Sequence, residues 1–263
     1  MRLAVAGGDA CVYTGGRQPM PDAPALLFVH GAAHDHSVFA LQSRYFAYHG
    51  WSMLAPDLPG HGRSAGPALT SVEAIADWLV RLLDASGIAR AAVVGHSMGA
   101  LAALELAARA PGRVTRVALL GPSVPMAVSD ALLDAAGRDD HAAFDMITGW
   151  SHARALGGNR QPGLWLAGQT LTLLERAAPG LLHTDLVACR AYANGLAAAA
   201  SVRCPVLLVL GARDLMAPAR NAAALQAALP DARTVLLPDT GHAMMTEQPD
   251  ALLDALRGFL VVS

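Results

Sequence analysis

The chain has 263 residues, 19 basic and 21 acidic, for a formal net charge of −2. With 54% hydrophobic and 15% charged residues it falls outside the disordered class, and its length allows a large core without metal or disulfide staples. All 19 basic residues are arginine, which excludes a phosphate loop ending in Gly-Lys-Ser/Thr, a Schiff-base lysine and a lysine general base.

Scattered arginines on a slightly acidic chain do not make the electrostatic footprint of a nucleic-acid binder. Roughly one residue in five is alanine, so the apolar composition reflects small helix formers. No run of about 18 apolar residues suggests a membrane span. Met1 to Gly16 has one Arg and an apolar stretch broken by Gly7, Gly8 and Asp9. It is a poor secretory signal, and the expectation is a cytoplasmic protein. Cys11, Cys189 and Cys204 are widely spaced, with no CxxC, and are expected to be buried small hydrophobes.

The first strands are predicted at Leu3–Ala6 and Cys11–Thr14, an antiparallel edge hairpin around Gly7-Gly8-Asp9. Further strands are predicted at Leu26–His30, Ser52–Ala55, Ala91–Gly95, Val114–Leu120, Val206–Gly211 and Thr234–Leu237. Several, such as Leu207-Leu208-Val209-Leu210, are continuously apolar, as suits parallel strands covered on both faces. Between the strands lie helical patterns at Val38–His49, Val72–Ser86, Met98–Arg109, Ala219–Leu229 and Asp250–Leu260. Thr70 and Ser71 can cap the second of these, Glu73 meets its dipole, and Gly87 can close it. The repeated alternation predicts an α/β fold with a doubly wound, mostly parallel eight-stranded sheet.

One stretch breaks the rhythm. From Val124 to Ser201 there is no convincing strand, only helical segments such as Ala131–Ala136 and Leu164–Ala177, interrupted at Gly157-Gly158, Pro162-Gly163 and Pro179-Gly180. Residues 124–201 are therefore expected to be a helical lid inserted after the sixth strand. Residues 1–123 and 202–263 are expected to form the core domain.

The strongest chemical signal is Gly95-His96-Ser97-Met98-Gly99, between a predicted strand and a predicted helix. Gly-x-Ser-x-Gly in that context is a nucleophile elbow, a turn so tight that side chains at the flanking glycines would collide. It presents Ser97 at the strand's carboxyl end, and the Met98 N–H can hold a developing oxyanion. Serine needs a base. His242 is expected to supply it, because it sits in the loop after the last strand, at the same sheet edge. His96 precedes the turn and is expected to point away from Ser97 and to support the elbow. His30 and His61 are expected to be structural, and His49, His141, His152 and His183 have no partner motif. Asp214, two residues beyond Gly211-Ala212, is the expected partner of His242. Asp57 is assigned to its own turn and Asp239 to a local loop contact, and Asp130 is the remaining rival.

The second oxyanion donor should follow the third strand at Gly31-Ala32-Ala33, with the Ala32 N–H or an immediate neighbour as donor. His34-Asp35-His36 has the residue types of a metal ligand set. The dinuclear metallohydrolase pattern needs two further histidines where Gly31 and Ala33 stand, so pocket-rim or solvated histidines and no metal are expected.

These residues together resemble the α/β-hydrolase fold superfamily. The His30-Gly31 loop, Pro56 to Ser64, the Gly95–Gly99 elbow, Gly211 to Asp214 and Gly241-His242 stand in family order over about Leu26 to Phe259. The resemblance implies a serine nucleophile, an acyl-enzyme intermediate and no cofactor. It is to the lidded branch of small carboxylesterases, enol-lactonases, carbon–carbon bond hydrolases and cofactor-free haloperoxidases. Serine at position 97 departs from the aspartate of dehalogenases and epoxide hydrolases. The absence of lysine departs from plant-type hydroxynitrile lyases, and His30-Gly31-Ala32-Ala33 departs from the His-Gly-Gly-Gly loop of secreted lipases. Phe39 stands where many relatives have tryptophan.

The expected function is hydrolysis of small-molecule carboxylic esters, with lactones or thioesters as variants, by Ser97, His242 and Asp214. The alternatives are a carbon–carbon bond hydrolase or haloperoxidase-like enzyme and, in a different class, a receptor-like binding protein with a slow triad. Lid residues Trp150, Trp165 and Met126, with Met244, are candidate substrate contacts, among further apolar candidates Phe144, Met146 and Tyr192, and packing within the lid is the commoner role for such residues at helical spacing. Arg154, Arg160 and Arg190 are candidate partners for a substrate carboxylate.

Overall fold

The computed structural model describes residues 1–20, 22–153, 163–229 and 231–260, so Arg154 and Arg160 lie outside the described residues. Among the described residues, eight strands form one sheet: β1 (Arg2–Val5), β2 (Gly8–Tyr13), β3 (Ala25–Val29), β4 (Ser52–Pro56), β5 (Ala91–His96), β6 (Val114–Leu120), β7 (Val206–Gly211) and β8 (Ala232–Leu237). Their spatial order is β1-β2-β4-β3-β5-β6-β7-β8. The β1–β2 and β2–β4 pairs are antiparallel and all others are parallel.

The edge hairpin is tighter than predicted. Its turn is Ala6-Gly7, both at positive φ (52° and 84°), and Val5 pairs directly with Gly8. A two-residue turn of this hand matches the twist of the flanking strands, so β2 begins three residues earlier than the apolar pattern alone suggested.

Every residue of β3, β4, β5 and β7 is buried, which explains their continuous apolar runs. The two faces still alternate. Leu27, Val93 and Leu208 join a core with α2 (Val72–Ala85) and α3 (Met98–Arg109). Leu26, Val94 and Val209 join a second core with α1 (Ala40–Tyr48) and α11 (Pro249–Leu260). Ser71 caps α2 by accepting from the Ala74 N–H at 3.1 Å, and Gly87, at φ 71°, follows its end. Two predicted helices begin as single 3-10 turns, at His36–Phe39 before α1 and at Ala219–Ala222 before α9 (Ala223–Ala228). In the first, the Asp35 carboxylate takes the Ser37 N–H and tightens the entry.

Between β6 and β7 stand α4 (Asp130–Gly137), α5 (His141–Ser151), α6 (Leu166–Arg176), α7 (Leu181–Ala191) and α8 (Gly195–Ser201). Leu132, Ile147, Leu174 and Leu186 from the first four build a separate apolar cluster that also takes in Ala33 of the core. Helix α8 instead sets Ala198 and Ala199 into the core that contains α3. A short α10 (Met244–Glu247) precedes α11. Among the described residues, no helix is long and apolar enough to cross a membrane. The three cysteines are free. Cys189 is buried as expected, whereas Cys11 and Cys204 are only half-buried.

Candidate active site

The strand β5 ends at His96 and α3 begins at Met98, leaving Ser97 alone at the turn with φ 54° and ψ −118°. That conformation costs a non-glycine residue about 1–3 kcal/mol and persists only where neighbours over-determine it. The neighbours are close: a Cβ on Gly95 would strike the Gly99 carbonyl, and one on Gly99 would strike the carbonyls of Val29 and His30. The Ser97 N–H is held by the Leu120 carbonyl at 3.0 Å. The flanking glycines are thus required by backbone crowding at the carboxyl ends of β3 and β5.

Two further loops at the same edge bring up His242 and Asp214. Asp214 follows β7, and its Oδ1 accepts the Met216 and Ala217 N–H groups at 2.8 and 2.7 Å. Its Oδ2 lies 2.7 Å from His242 Nδ1. Burial opposes the Asp214 charge, but the attraction of His242 and these hydrogen bonds hold its pKa below the usual carboxylate value. His242 Nε2 is buried with no hydrogen-bond partner among the described residues. The histidine loop is anchored twice more. Glu247 accepts the Gly241 N–H at 2.7 Å and the Ala153 N–H, just beyond α5, at 2.8 Å. His96 Nε2 lies 2.9 Å from the His242 carbonyl, with the two rings 4.7 Å apart. His96 therefore supports the histidine loop as well as the elbow, and it lines the same cavity as Ser97. Burial and the neighbouring His242 keep it well below the usual histidine pKa.

The loop after β3 is held peptide by peptide. His30 Nδ1 lies 2.9 Å from the Gly31 carbonyl while its Nε2 accepts the Leu58 N–H at 3.0 Å. That fixes a neutral Nδ1–H tautomer, and burial lowers its pKa to about 3. The Gly31 carbonyl also accepts the His34 N–H. His34 Nδ1 lies 2.6 Å from the Ala32 carbonyl, and burial holds this ring below the usual pKa too. A Cβ on Gly31 would lie 3.2 Å from that of Ser97, so the backbone here runs against the elbow.

The remaining candidates divide clearly. Asp57 holds its own turn, as expected, through Arg63 and Ser64, and also takes the His36 ring at 2.6 Å. Asp35, His36 and Asp57 lie close enough together for a cation, but protein donors already take both Asp57 oxygens, from His36 and Arg63, and Asp35 Oδ1 takes the Ser37 N–H. Asp239 pairs with Arg213 at the surface, and Asp130 with Arg190.

A cavity of about 290 Å³ opens between the sheet edge and the inserted helices, and Ser97, His242, His96, Ala32 and His34 line it. Of the expected substrate contacts, Trp150 and Met126 line the cavity. Trp165 does not; the residue is 68% exposed, with its ring over Gly168. Met244 is fully buried in the core beside α11, and its neighbour Met245 reaches the cavity instead. Tyr192 is also elsewhere, with its hydroxyl donating to the buried Glu105 at 2.6 Å. Sequence reasoning missed Glu247 and Asp185. The signal for Asp185 was available: it is an acid at a buried position of the α7 stripe Leu182, Asp185, Leu186, Cys189.

Comparison with known proteins agrees with this architecture. The chain is 33% identical to a pimeloyl-[acyl-carrier protein] methyl ester esterase of Aromatoleum aromaticum over 89% of this chain and 99% of that protein. It is 29% identical to a Klebsiella pneumoniae protein provisionally named carbamate hydrolase RutD, over 93% of this chain and 96% of the other. The crystal structure of an enol-lactonase from Burkholderia xenovorans LB400 superposes with a TM-score of 0.87 at 24% identity, covering 99% of both chains. A model of the alpha/beta hydrolase family matches residues 26–255. The chain belongs to the alpha/beta hydrolase family and is a hydrolase of that fold.

Proposed function

We propose that the protein cleaves small-molecule carboxylic esters, lactones or thioesters by two-step acyl transfer at Ser97. The observation that carries this reading is His242. Its Nδ1 is tied to the Asp214 carboxylate, and its Nε2 is unpartnered beside a cavity that Ser97 also lines. The carboxylate holds a proton on Nδ1, so Nε2 is the lone pair that takes the Ser97 hydroxyl proton as the oxygen attacks the carbonyl. The resulting oxyanion is received by the N–H groups of Met98, at the start of α3, and Ala32. The imidazolium then protonates the departing alcohol or thiol. In the second step His242 deprotonates a water that attacks the acyl-enzyme, and the proton returns to Ser97 as the acid leaves. Only residues of this chain and water take part.

The described residues of the 124–201 insertion act as a cap over the site, with Met126, Leu132, Ile147 and Trp150 as an apolar wall for the acyl or alkyl group. Arg190 lies away from the cavity, paired with Asp130 at 2.6 Å, and does not bind substrate in this reading. The test is labelling with a fluorophosphonate followed by a panel of p-nitrophenyl esters, lactones and thioesters. Covalent mass on Ser97 and turnover of at least one class are expected. A protein that neither labels nor turns over any of them refutes the reading.

A further inference from the structure

The oxyanion loop is held by a residue that belongs to none of the core strands or their loops. Asp185 projects from α7, 152 residues away in sequence, and its Oδ2 accepts the Ala33 N–H at 2.8 Å. The same oxygen lies 2.8 Å from His61 Nε2, and the opposite ring nitrogen of His61 lies 3.0 Å from the Pro59 carbonyl. Both ring nitrogens thus face acceptors, an arrangement satisfied in full only by an imidazolium. Burial works against that charge, yet the Asp185 carboxylate raises the His61 pKa above its usual value. Both side chains are buried to within 2% of full burial, and Asp185 Oδ1 has no partner among the described residues.

The position matters because of what Asp185 holds. Ala33 is a non-glycine residue at φ 51°, a left-handed conformation that side chains disfavour and that needs something to impose it. The peptide joining Ala32 to Ala33 is gripped at both ends, its carbonyl by His34 Nδ1 and its N–H by Asp185. The preceding carbonyl, of Gly31, is taken by His30 and by the His34 N–H. With these groups bound, the Ala32 N–H has no acceptor among the described residues and is left for a ligand.

We propose that Asp185, with His61 as its counter-cation, is a positioning residue that sets the oxyanion hole, so that an inserted helix aims the Ala32 N–H at the reacting carbonyl. The inference rests on the acyl-transfer reading above and deepens it. A donor displaced by about 1 Å loses on the order of a hundredfold in rate, and the loss falls on the transition state, where the oxyanion exists, rather than on the bound substrate.

The experiment compares wild type, Asp185→Ala and Asp185→Asn on p-nitrophenyl butyrate, together with inhibition by an aryl trifluoromethyl ketone. The ketone adds Ser97 Oγ to its carbonyl carbon, the Ser97 proton passes to His242, and the resulting hemiketal oxyanion occupies the same hole. For Asp185→Ala, kcat is expected to fall about a hundredfold with KM within threefold, and the inhibitor to weaken by a similar factor. Asp185→Asn keeps an oxygen for the Ala33 N–H, and losses of three- to tenfold in both quantities are expected. If the alanine variant does not fold, the asparagine variant decides on the same paired losses. Unchanged kcat and inhibitor affinity overturn the proposal, and so does a loss of kcat with no weakening of the inhibitor. A wild type that neither labels with fluorophosphonate nor turns over removes the acyl-transfer reading, and this proposal with it. A wild type that does both beside indifferent Asp185 variants refutes this proposal alone.

Discussion

Replacing Asp214 with asparagine is a demanding test of the proposed chemistry, because the structure dictates how the new amide must sit. Asp214 Oδ1 accepts two backbone N–H groups, from Met216 and Ala217, while Oδ2 faces His242 Nδ1. An asparagine that keeps its oxygen on the two amides turns its NH2 toward Nδ1. The imidazole must then carry its proton on Nε2, where no lone pair remains for the Ser97 hydroxyl. The reverse orientation sets the NH2 against two buried donors, and each hydrogen bond lost there costs about 1–3 kcal/mol. The unproductive tautomer therefore wins. From the behaviour of such triads, kcat is expected to fall about four orders of magnitude, close to 5.5 kcal/mol of barrier. The readout is steady-state hydrolysis of a p-nitrophenyl ester beside the rate of fluorophosphonate labelling, and both should drop while KM and the circular dichroism spectrum stay near wild type. A folded variant retaining a tenth or more of wild-type kcat would refute the assignment of Asp214 as the residue that fixes the His242 tautomer.

Three other outcomes are expected. Ser97→Ala removes the nucleophile and should lower turnover by about six orders of magnitude; ester cleavage persisting in purified variant protein contradicts the mechanism. Trp150→Ala should raise KM several-fold because the ring lines the cavity, whereas Trp165→Ala, on a largely exposed side chain, should leave kcat/KM within twofold; equal effects would mean the wall is misassigned. The buried Asp57 and its His36 partner should make stability pH-dependent. Burial opposes both charges, but the hydrogen bond between them raises His36 above its usual value and lowers Asp57 to about 2. A raised histidine stabilises in full below about pH 6.5 and loses its contribution as pH rises through the folded value. A depressed aspartate contributes above about 3.8 and fades as pH falls toward 2. The denaturation free energy lost in His36→Ala should therefore be larger at pH 6 than at pH 8.5; a pH-independent difference counts against the pairing.

What could be read in the sequence follows from how each feature is enforced. Leu26 to Val29 and Val206 to Gly211 are buried on both faces, so their apolar runs are uninterrupted and their strands legible. The elbow is legible because Gly95 and Gly99 meet backbone carbonyls at distances no side chain tolerates. Chain order and strand ends then point to Asp214 and His242, and both lie where that order puts them. The Ala6-Gly7 turn was harder, since Gly7-Gly8-Asp9 is the more obvious turn signal. Helix α8 escaped because small residues dilute the helical period, as in Ala197–Ala200.

The cavity wall illustrates the deeper limit. Trp150 and Trp165 are the same residue type in adjoining helical segments, yet one ring faces the cavity and the other faces solvent. Periodicity identifies the side of a helix that is buried; it carries no information about which tertiary partner that side meets. Met244 and Met245 make the same point at neighbouring positions: both are buried in the core beside α11, but of the two it is Met245 that also lines the cavity. Asp185 is the informative exception. An acid inside an apolar stripe costs several kcal/mol unless it is paired, so its presence at a buried position of α7 implies a specific charged partner elsewhere. That partner is His61, and the same Asp185 carboxylate holds the Ala33 N–H of the loop that runs against Ser97. Where a chain tolerates a cost of that size beside a strained turn, the cost is a better guide to the working parts of the molecule than any apolar pattern around it.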